Sequence, residues 1–358
     1  MRAVVLDGPG PPETMQIRDL PIPEAQPGQV LIRVKAFGLN RSELHFRAGV
    51  ATSGTFPRVP GIEAAGVVHR APGGEFAPGA QVVTMMGGMG RVFDGGYAEY
   101  VLVPAAQVTP FRSRLAWEQL GAVPEMLQTA HGSLTVGIRA QPGQSLLIRG
   151  GTSSIGLALA VLAKRIGMTV YATSRREQAR ALLEQVGVDQ VLIDNGHVAD
   201  QVRNIVPAGV DGAVELVGTN ALHDTLRAVR AGGTVCFTGM LSDQWSIPDF
   251  YPMDWIPNGV RLTAYSGEAA DLPEPVLQEF LDAVATGQAT IPLGRVYTID
   301  QIVAAHHDME AGTVGGKGVV VTERIKPESG RVPGLLHPDA DRLAGNPMAV
   351  PPIAEQPR

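Results

Sequence analysis

Apolar positions follow two different rhythms along the chain. Up to about residue 123, short β-prone runs at residues 3–6, 29–36, 64–69, 81–84 and 98–103 are cut by turns such as Pro27-Gly28, Pro72-Gly73-Gly74 and Pro78-Gly79. Such spacing predicts a small barrel-like β domain. Residues 115–136 read as helical, with Trp117-Glu118-Gln119-Leu120 opening one helix and Pro124 starting a second. From Gln144 the pattern becomes strand, helix, strand, with strands expected at 145–148, 169–173, 190–193, 212–217, 234–238 and 261–265. Nearly continuous apolar runs such as Ala213-Val214-Glu215-Leu216-Val217 suit a parallel sheet covered on both faces, so the fold class is α/β with a doubly wound sheet. After Gly267 the pattern changes again, to a helix at 275–286, a strand at 291–297, a helix at 299–311 and a strand at 317–321. Residues 326–358 hold seven prolines and no sustained periodicity, and read as a tail. The domains expected are therefore 1–123, 124–266 and 267–325, followed by that tail.

Within the second rhythm one stretch carries chemistry. Leu146-Leu147-Ile148 runs into Arg149-Gly150-Gly151-Thr152-Ser153-Ser154-Ile155-Gly156, then an apolar helix and a second strand ending at Ser174-Arg175-Arg176. Strand, glycine-rich turn, helix and strand in about 30 residues is the layout of a dinucleotide-binding unit. Gly151 is expected to turn off the strand and Gly156 to let the helix lie close. Ser153 replaces the central glycine, offering a backbone N–H and a hydroxyl beside Thr152, Ser154 and Ile155 at a helix N-terminus that suits a pyrophosphate. Strand carboxyl ends would bring Val217-Gly218 and Thr238-Gly239-Met240 to the same crevice.

Where an acidic residue would bind a ribose 2′-hydroxyl, the chain has Ser174, Arg175 and Arg176. Guanidinium groups pair with a 2′-phosphate that a carboxylate would repel, so the cofactor expected is NADP(H). The competing reading of the two arginines is a solvated helix start.

The net charge of −6 and the lack of a basic run argue against nucleic acid as a partner and give no reason to expect an anionic membrane surface. No window approaches the ~18 apolar residues of a membrane span and no signal sequence is visible, so a cytoplasmic protein is expected. Cys236 is the only cysteine, which excludes an internal disulfide and a multi-cysteine zinc site.

Residues 38–49, Gly-Leu-Asn-Arg-Ser-Glu-Leu-His-Phe-Arg-Ala-Gly, the run Pro60-Gly61-Ile62-Glu63-Ala64-Ala65-Gly66, Gly95-Gly96-Tyr97-Ala98-Glu99-Tyr100 and the glycine turn together resemble the medium-chain dehydrogenase/reductase superfamily, in its zinc-independent quinone oxidoreductase-like branch. The match extends from Met1 to about Val321. The resemblance implies a GroES-like β-barrel catalytic domain, a Rossmann NADP-binding domain and a return of 267–325 to the first domain. It implies a homodimer formed through the edge strand at 261–265. In zinc-containing relatives, cysteine and histidine ligands fall where this chain has Asn40 and Ile62, so no metal is expected. It also makes Asn40 a cofactor-side residue, places Thr129 near the nicotinamide, and lets Lys317 reach the cofactor, with helix packing and surface exposure as the alternatives for the last two.

Reduction without a metal needs a group to polarise the acceptor oxygen and a proton source. Asn40 can orient a ribose or an acceptor oxygen. Glu43 is a candidate for holding the loop or moving protons, and Glu63 more readily anchors the barrel. His45, where relatives often carry tyrosine, is the leading acid candidate because imidazole exchanges protons near neutral pH. A second tyrosine position is Ala51, so the acceptor pocket is rebuilt. Met85, Met86, Met89, Met126, Met240, Trp245, Phe250 and Tyr251 suggest an apolar cleft for a hydrophobic or conjugated acceptor. The function expected is NADPH-dependent reduction of a quinone or an α,β-unsaturated carbonyl. The alternative is an NADP(H)-binding protein of the same fold with a redox-neutral or non-catalytic role in natural-product metabolism.

Overall fold

The computed structural model describes residues 1–50, 54–244 and 246–323. Ala51, Trp245 and the tail at 326–358 therefore lie outside the described residues. Within them the chain runs β1 (Arg2–Val5), β2 (Gln16–Asp19), β3 (Gln29–Gly38), α1 (Arg41–Arg47), β4 (Glu63–Arg70), β5 (Gln81–Met85), β6 (Tyr100–Pro104) and β7 (Val108–Pro110). Two helices follow, α2 (Trp117–Leu120) and α3 (Pro124–Gly132). Next come β8 (Ser145–Arg149), α4 (Ser154–Arg165), β9 (Thr169–Ser174), α5 (Arg180–Gln185), β10 (Gln190–Ile193), α6 (Val198–Ile205), β11 (Val210–Glu215), α7 (Thr219–Ala228), β12 (Val229–Phe237), α8 (Pro252–Trp255) and β13 (Arg261–Ala264). The chain closes with α9 (Glu274–Ala285), β14 (Leu293–Thr298), α10 (Ile302–Ala311) and β15 (Lys317–Val321).

Two main sheets result. Six strands in the order β10-β9-β8-β11-β12-β13 are all parallel, the doubly wound order in which the chain reverses direction across the sheet at β8 and β11. The other sheet is mixed, β14-β15-β3-β4-β5-β7, with β6 also paired to β3. β15 lies antiparallel to β3, so the last described strand of the chain is built into the first sheet. Lys317, the first residue of β15, pairs with Leu293 of β14 and is buried.

The helical stretch expected at 115–136, one helix opening at Trp117 and a second at Pro124, forms as α2 and α3, with a wide π turn added at Ser133–Gly137. Pro124 explains the first break, since it lacks an N–H to continue α2 and suits the first turn of α3. β2 and β7 are strands that periodicity did not predict; both are short, and β2 has no buried residue to mark it.

One apolar core fills the barrel with Val4, Ile32, Phe37 and Tyr97. Another begins at Val83, Met85 and Met126 and continues through Leu127 to Ile148 and Leu157 of the parallel sheet. Met85, Met89 and Met126 are at most 1% exposed, so these three are core residues rather than cleft lining. Burial, not access, is what their flexible side chains serve here.

Candidate active site

The glycine turn forms at the carboxyl ends of two neighbouring parallel strands. Gly150, not Gly151, makes the sharp turn, with a left-handed φ of 88°. Gly151 instead packs flat: a Cβ there would stand 2.8 Å from the Ala172 Cβ. The turn is clipped to β9, since Gly150 N–H donates to Thr173 Oγ1 at 2.9 Å and Gly151 N–H to the Thr173 carbonyl at 3.0 Å. A Cβ on Gly156 would sit 2.7 Å from the carbonyl oxygens of both Gly150 and Gly151, so only glycine lets α4 start this close.

Ser153 is the N-cap of α4. Its hydroxyl accepts from Gly156 N–H at 3.1 Å and donates to the Gly150 carbonyl at 2.9 Å, and its own N–H points to that carbonyl at 3.2 Å. Its donors are thus spent on the turn. Ser154 and Ile155, in the first turn, carry N–H groups with no acceptor inside the helix, directly after Thr152 and Ser153.

At the end of β9, Ser174 is buried and its hydroxyl closes on the Arg176 backbone, accepting from N–H at 3.1 Å and facing the carbonyl at 3.0 Å. Arg175 and Arg176 are exposed. Asp194, just past the end of neighbouring β10, is committed to buried Arg149, which also holds Asp224. At β11, Glu215 is fully buried and accepts from the N–H groups of Val217 (2.6 Å) and Gly218 (3.0 Å), which removes both donors from any ligand. Burial pushes its carboxyl up to about 7 against these hydrogen bonds. Thr238 faces Ser133, hydroxyl to hydroxyl, at 3.0 Å, Gly239 packs within 2.7 Å of the Leu216 carbonyl through its would-be Cβ, and Met240 is half-buried.

On the barrel side, α1 starts at a buried charged cluster. Asn40 donates from Nδ2 to Glu63 Oε1 at 2.9 Å and accepts from Lys317 Nζ. Lys317 Nζ lies 2.8 Å from Glu63 Oε1 and 3.2 Å from Glu125 Oε2. Thr129 Oγ1 is 3.1 Å from Glu125 Oε1, on the far side of that carboxylate from the lysine. Lys317 is thus neither surface lysine nor free cationic arm. Burial lowers its ammonium, and the carboxylates of Glu63 and Glu125 more than reverse that, holding it above its ordinary value. Asn40 and Thr129 are likewise bound into this cluster, which spans β4, α1, α3 and β15.

Glu43 is fully buried and accepts from Asn40 N–H at 3.0 Å and Ile62 N–H at 2.8 Å. It ties the start of α1 to the loop before β4, and burial lifts its carboxyl to about 7. Two residues further along α1, His45 is half-buried, and its Nε2 is 2.9 Å from Asp243 Oδ1. Asp243 belongs to the loop that follows Thr238-Gly239-Met240, so His45 is the expected residue that the tertiary structure sets against the cofactor-side loop. Asp243, Glu125 and Arg149 were not foreseen as site residues. For Arg149 and Glu215 the signal was a charge inside an apolar strand run; for Asp243 the sequence holds none.

A mixed barrel sheet joined to a Rossmann-type sheet, with a glycine turn at the strand ends, defines the two-domain dehydrogenase class. Two family profiles match: the alcohol dehydrogenase GroES-like domain over residues 26–113 and the zinc-binding dehydrogenase family over residues 154–282. The quinone oxidoreductase of Mus musculus is 27% identical over 331 residues, covering 87% of this chain and 95% of that protein. A mycobacterial protein solved in complex with NADPH matches with a TM-score of 0.78 at 25% identity, over 90% of this chain and 100% of its own. An NAD-dependent alcohol dehydrogenase matches with a TM-score of 0.78 at 27% identity, over 90% and 100%. The chain belongs to the medium-chain dehydrogenase/reductase superfamily and is quinone oxidoreductase-like within it. Among the described residues no helix is long and apolar enough to cross a membrane.

Proposed function

We propose that the chain is an NADPH-dependent oxidoreductase that reduces a quinone or an α,β-unsaturated carbonyl without zinc. The observation that carries this reading is the pair Arg175 and Arg176, exposed at the end of β9 beside the glycine turn, with the nearby Asp194 neutralised by Arg149. That leaves a cationic end for a 2′-phosphate and a Gly150–Gly156 cradle that a Cβ would fill.

When bound there, the nicotinamide supplies a hydride. The chain's own part is to admit the acceptor beside α1 and to return a proton: the His45 imidazolium gives its proton to the acceptor and is recharged from solvent. A quinone leaves as the hydroquinone and an enone as the saturated carbonyl, each having gained two electrons and two hydrogens. Zinc independence is supported by Asn40 and Ile62, which stand where relatives have ligands, and by the engagement of Asn40 with Glu63 and Lys317. Among the described residues no group of three His, Cys, Asp or Glu side chains is placed to hold a metal ion. An apolar acceptor is supported by Met86, Met240 and Leu241, the half-buried apolar residues left once the core methionines are set aside. β13 is the outer strand of the parallel sheet, which supports pairing with a second copy of the chain in a soluble, cytoplasmic homodimer.

The test follows NADPH and NADH absorbance with a panel of quinones and enones, alongside metal analysis of the purified protein. Oxidation of NADPH in preference to NADH, with no stoichiometric zinc, is expected. Tight NADPH binding with no oxidation by any acceptor would overturn it in favour of a redox-neutral role.

A further inference from the structure

We infer that Asp243 is a positioning residue for the proposed reaction, fixing the His45 imidazole from the loop that follows β12. The inference rests on the reading of His45 as the proton donor.

Both supports of this contact are held. The Asp243 loop is tied to the carboxyl end of β11: Leu241 N–H donates to the Leu216 carbonyl at 3.1 Å, and Ser242 N–H to the Val217 carbonyl at 2.8 Å. Asp243 N–H then closes a turn on the Met240 carbonyl at 3.0 Å, with Asp243 itself in the left-handed region at φ 57°. Aspartate tolerates that conformation better than most residues. On the other side, the start of α1 is pinned by Glu43 to Asn40 N–H and Ile62 N–H. The imidazole therefore spans two elements that cannot easily shift to accommodate it.

Stability is a poor explanation for the pair. The Asp243 side chain is 58% exposed, and exposed ion pairs contribute little. Arg41, the other charged group on the same carboxylate, approaches it only at 3.4 and 3.5 Å. What the geometry does accomplish is orientation. His45 is only 13% exposed, and an acceptor on Nε2 selects both the ring plane and the nitrogen that carries a fixed hydrogen. Asp243 itself neither gives nor takes a proton; it acts through His45.

The experiment compares Asp243→Asn, Asp243→Glu, His45→Gln and the double variant Asp243→Asn/His45→Gln in the full-length protein. Turnover is measured with NADPH and either 1,4-naphthoquinone or trans-2-hexenal, and NADPH affinity by fluorescence. Asp243→Asn should lower kcat about tenfold while NADPH affinity stays within about twofold, and Asp243→Glu should recover much of the loss. In the His45→Gln background Asp243→Asn should have no further effect, whereas a residue that merely supports the loop would add its own loss. If His45→Gln abolishes turnover but Asp243→Asn does not, the positioning role is wrong and the donor reading stands. If His45→Gln leaves turnover intact, the donor reading itself fails, and this inference with it. Histidine-labelled protein supplies a readout independent of turnover: the side-chain 15N spectrum should give His45 a protonated Nε2 that Asp243→Asn disturbs. An unchanged His45 signal in that variant overturns the inference even where neither acceptor is reduced.

Discussion

Lys317 Nζ lies 2.8 Å from Glu63 Oε1, and the two side chains are 1% and 0% exposed. The last described strand of the chain is thereby fastened to β4 by a buried ion pair. Charges taken out of water are costly singly and tolerable only together. Lys317→Met should therefore leave Glu63 and Glu125 as uncompensated neighbours and cost about 3–5 kcal/mol. Urea unfolding monitored by circular dichroism checks this; Glu63→Gln added to the same variant should restore part of the loss.

Gly156→Ala tests the cradle. Its Cβ would meet two carbonyl oxygens at 2.7 Å, both backbone, so α4 has to move outward. A stability loss of about 1–3 kcal/mol is expected. NADPH affinity should fall by more than tenfold, because the first-turn N–H groups move with the helix, and fluorescence titration reads it.

Arg175→Ala with Arg176→Ala tests the choice of cofactor. Loss of hydrogen bonds to a charged phosphate is worth about 1.5–3 kcal/mol, or roughly tenfold to a hundredfold in affinity. NADPH binding should weaken by that factor while NADH binding stays unchanged, as measured by calorimetry with each dinucleotide.

Glu43 gives the protein a pH signature. Its carboxyl is raised to about 7 by burial, so the folded state binds a proton more tightly than the unfolded chain, where the usual value is 4.5. Its contribution is fully present below the unfolded value and is lost as pH rises towards 7, on the order of 3 kcal/mol in all. Glu215 has the same sign over the same range. His306, held down to about 3 by burial, works oppositely, with stability lost as pH falls below the usual imidazole value of 6.5. Comparing urea unfolding of the parent and Glu43→Gln at pH 5 and pH 8 isolates one group. The variant should be less stable at pH 5, having lost a backbone hydrogen bond, and should show a smaller decline towards pH 8.

The βαβ unit could be read from the order of residues because its determinants are local. Leu146-Leu147-Ile148, a pair of glycines and Gly156 at the right spacing place a helix N-terminus at a strand end wherever the sheet goes. The position of the arginines at the end of β9 follows from the same counting. Division of labour within the turn did not follow: which glycine is left-handed, and that Ser153 spends its hydroxyl on its own helix, depend on the clip to Thr173 across the sheet.

Sequence alone therefore determined the class of fold and the place of the glycine turn at a strand end, both properties of neighbouring residues or of residue type. The tertiary structure decided what the isolated polar residues do. Lys317 is 277 residues from Asn40, and His45 is 198 from Asp243. Pairings over such separations are set by how β15 lies on β3 and how the β12 loop meets α1, and no local pattern encodes them. Those two contacts make Lys317 a buried brace and hold the His45 imidazole against the loop that follows β12.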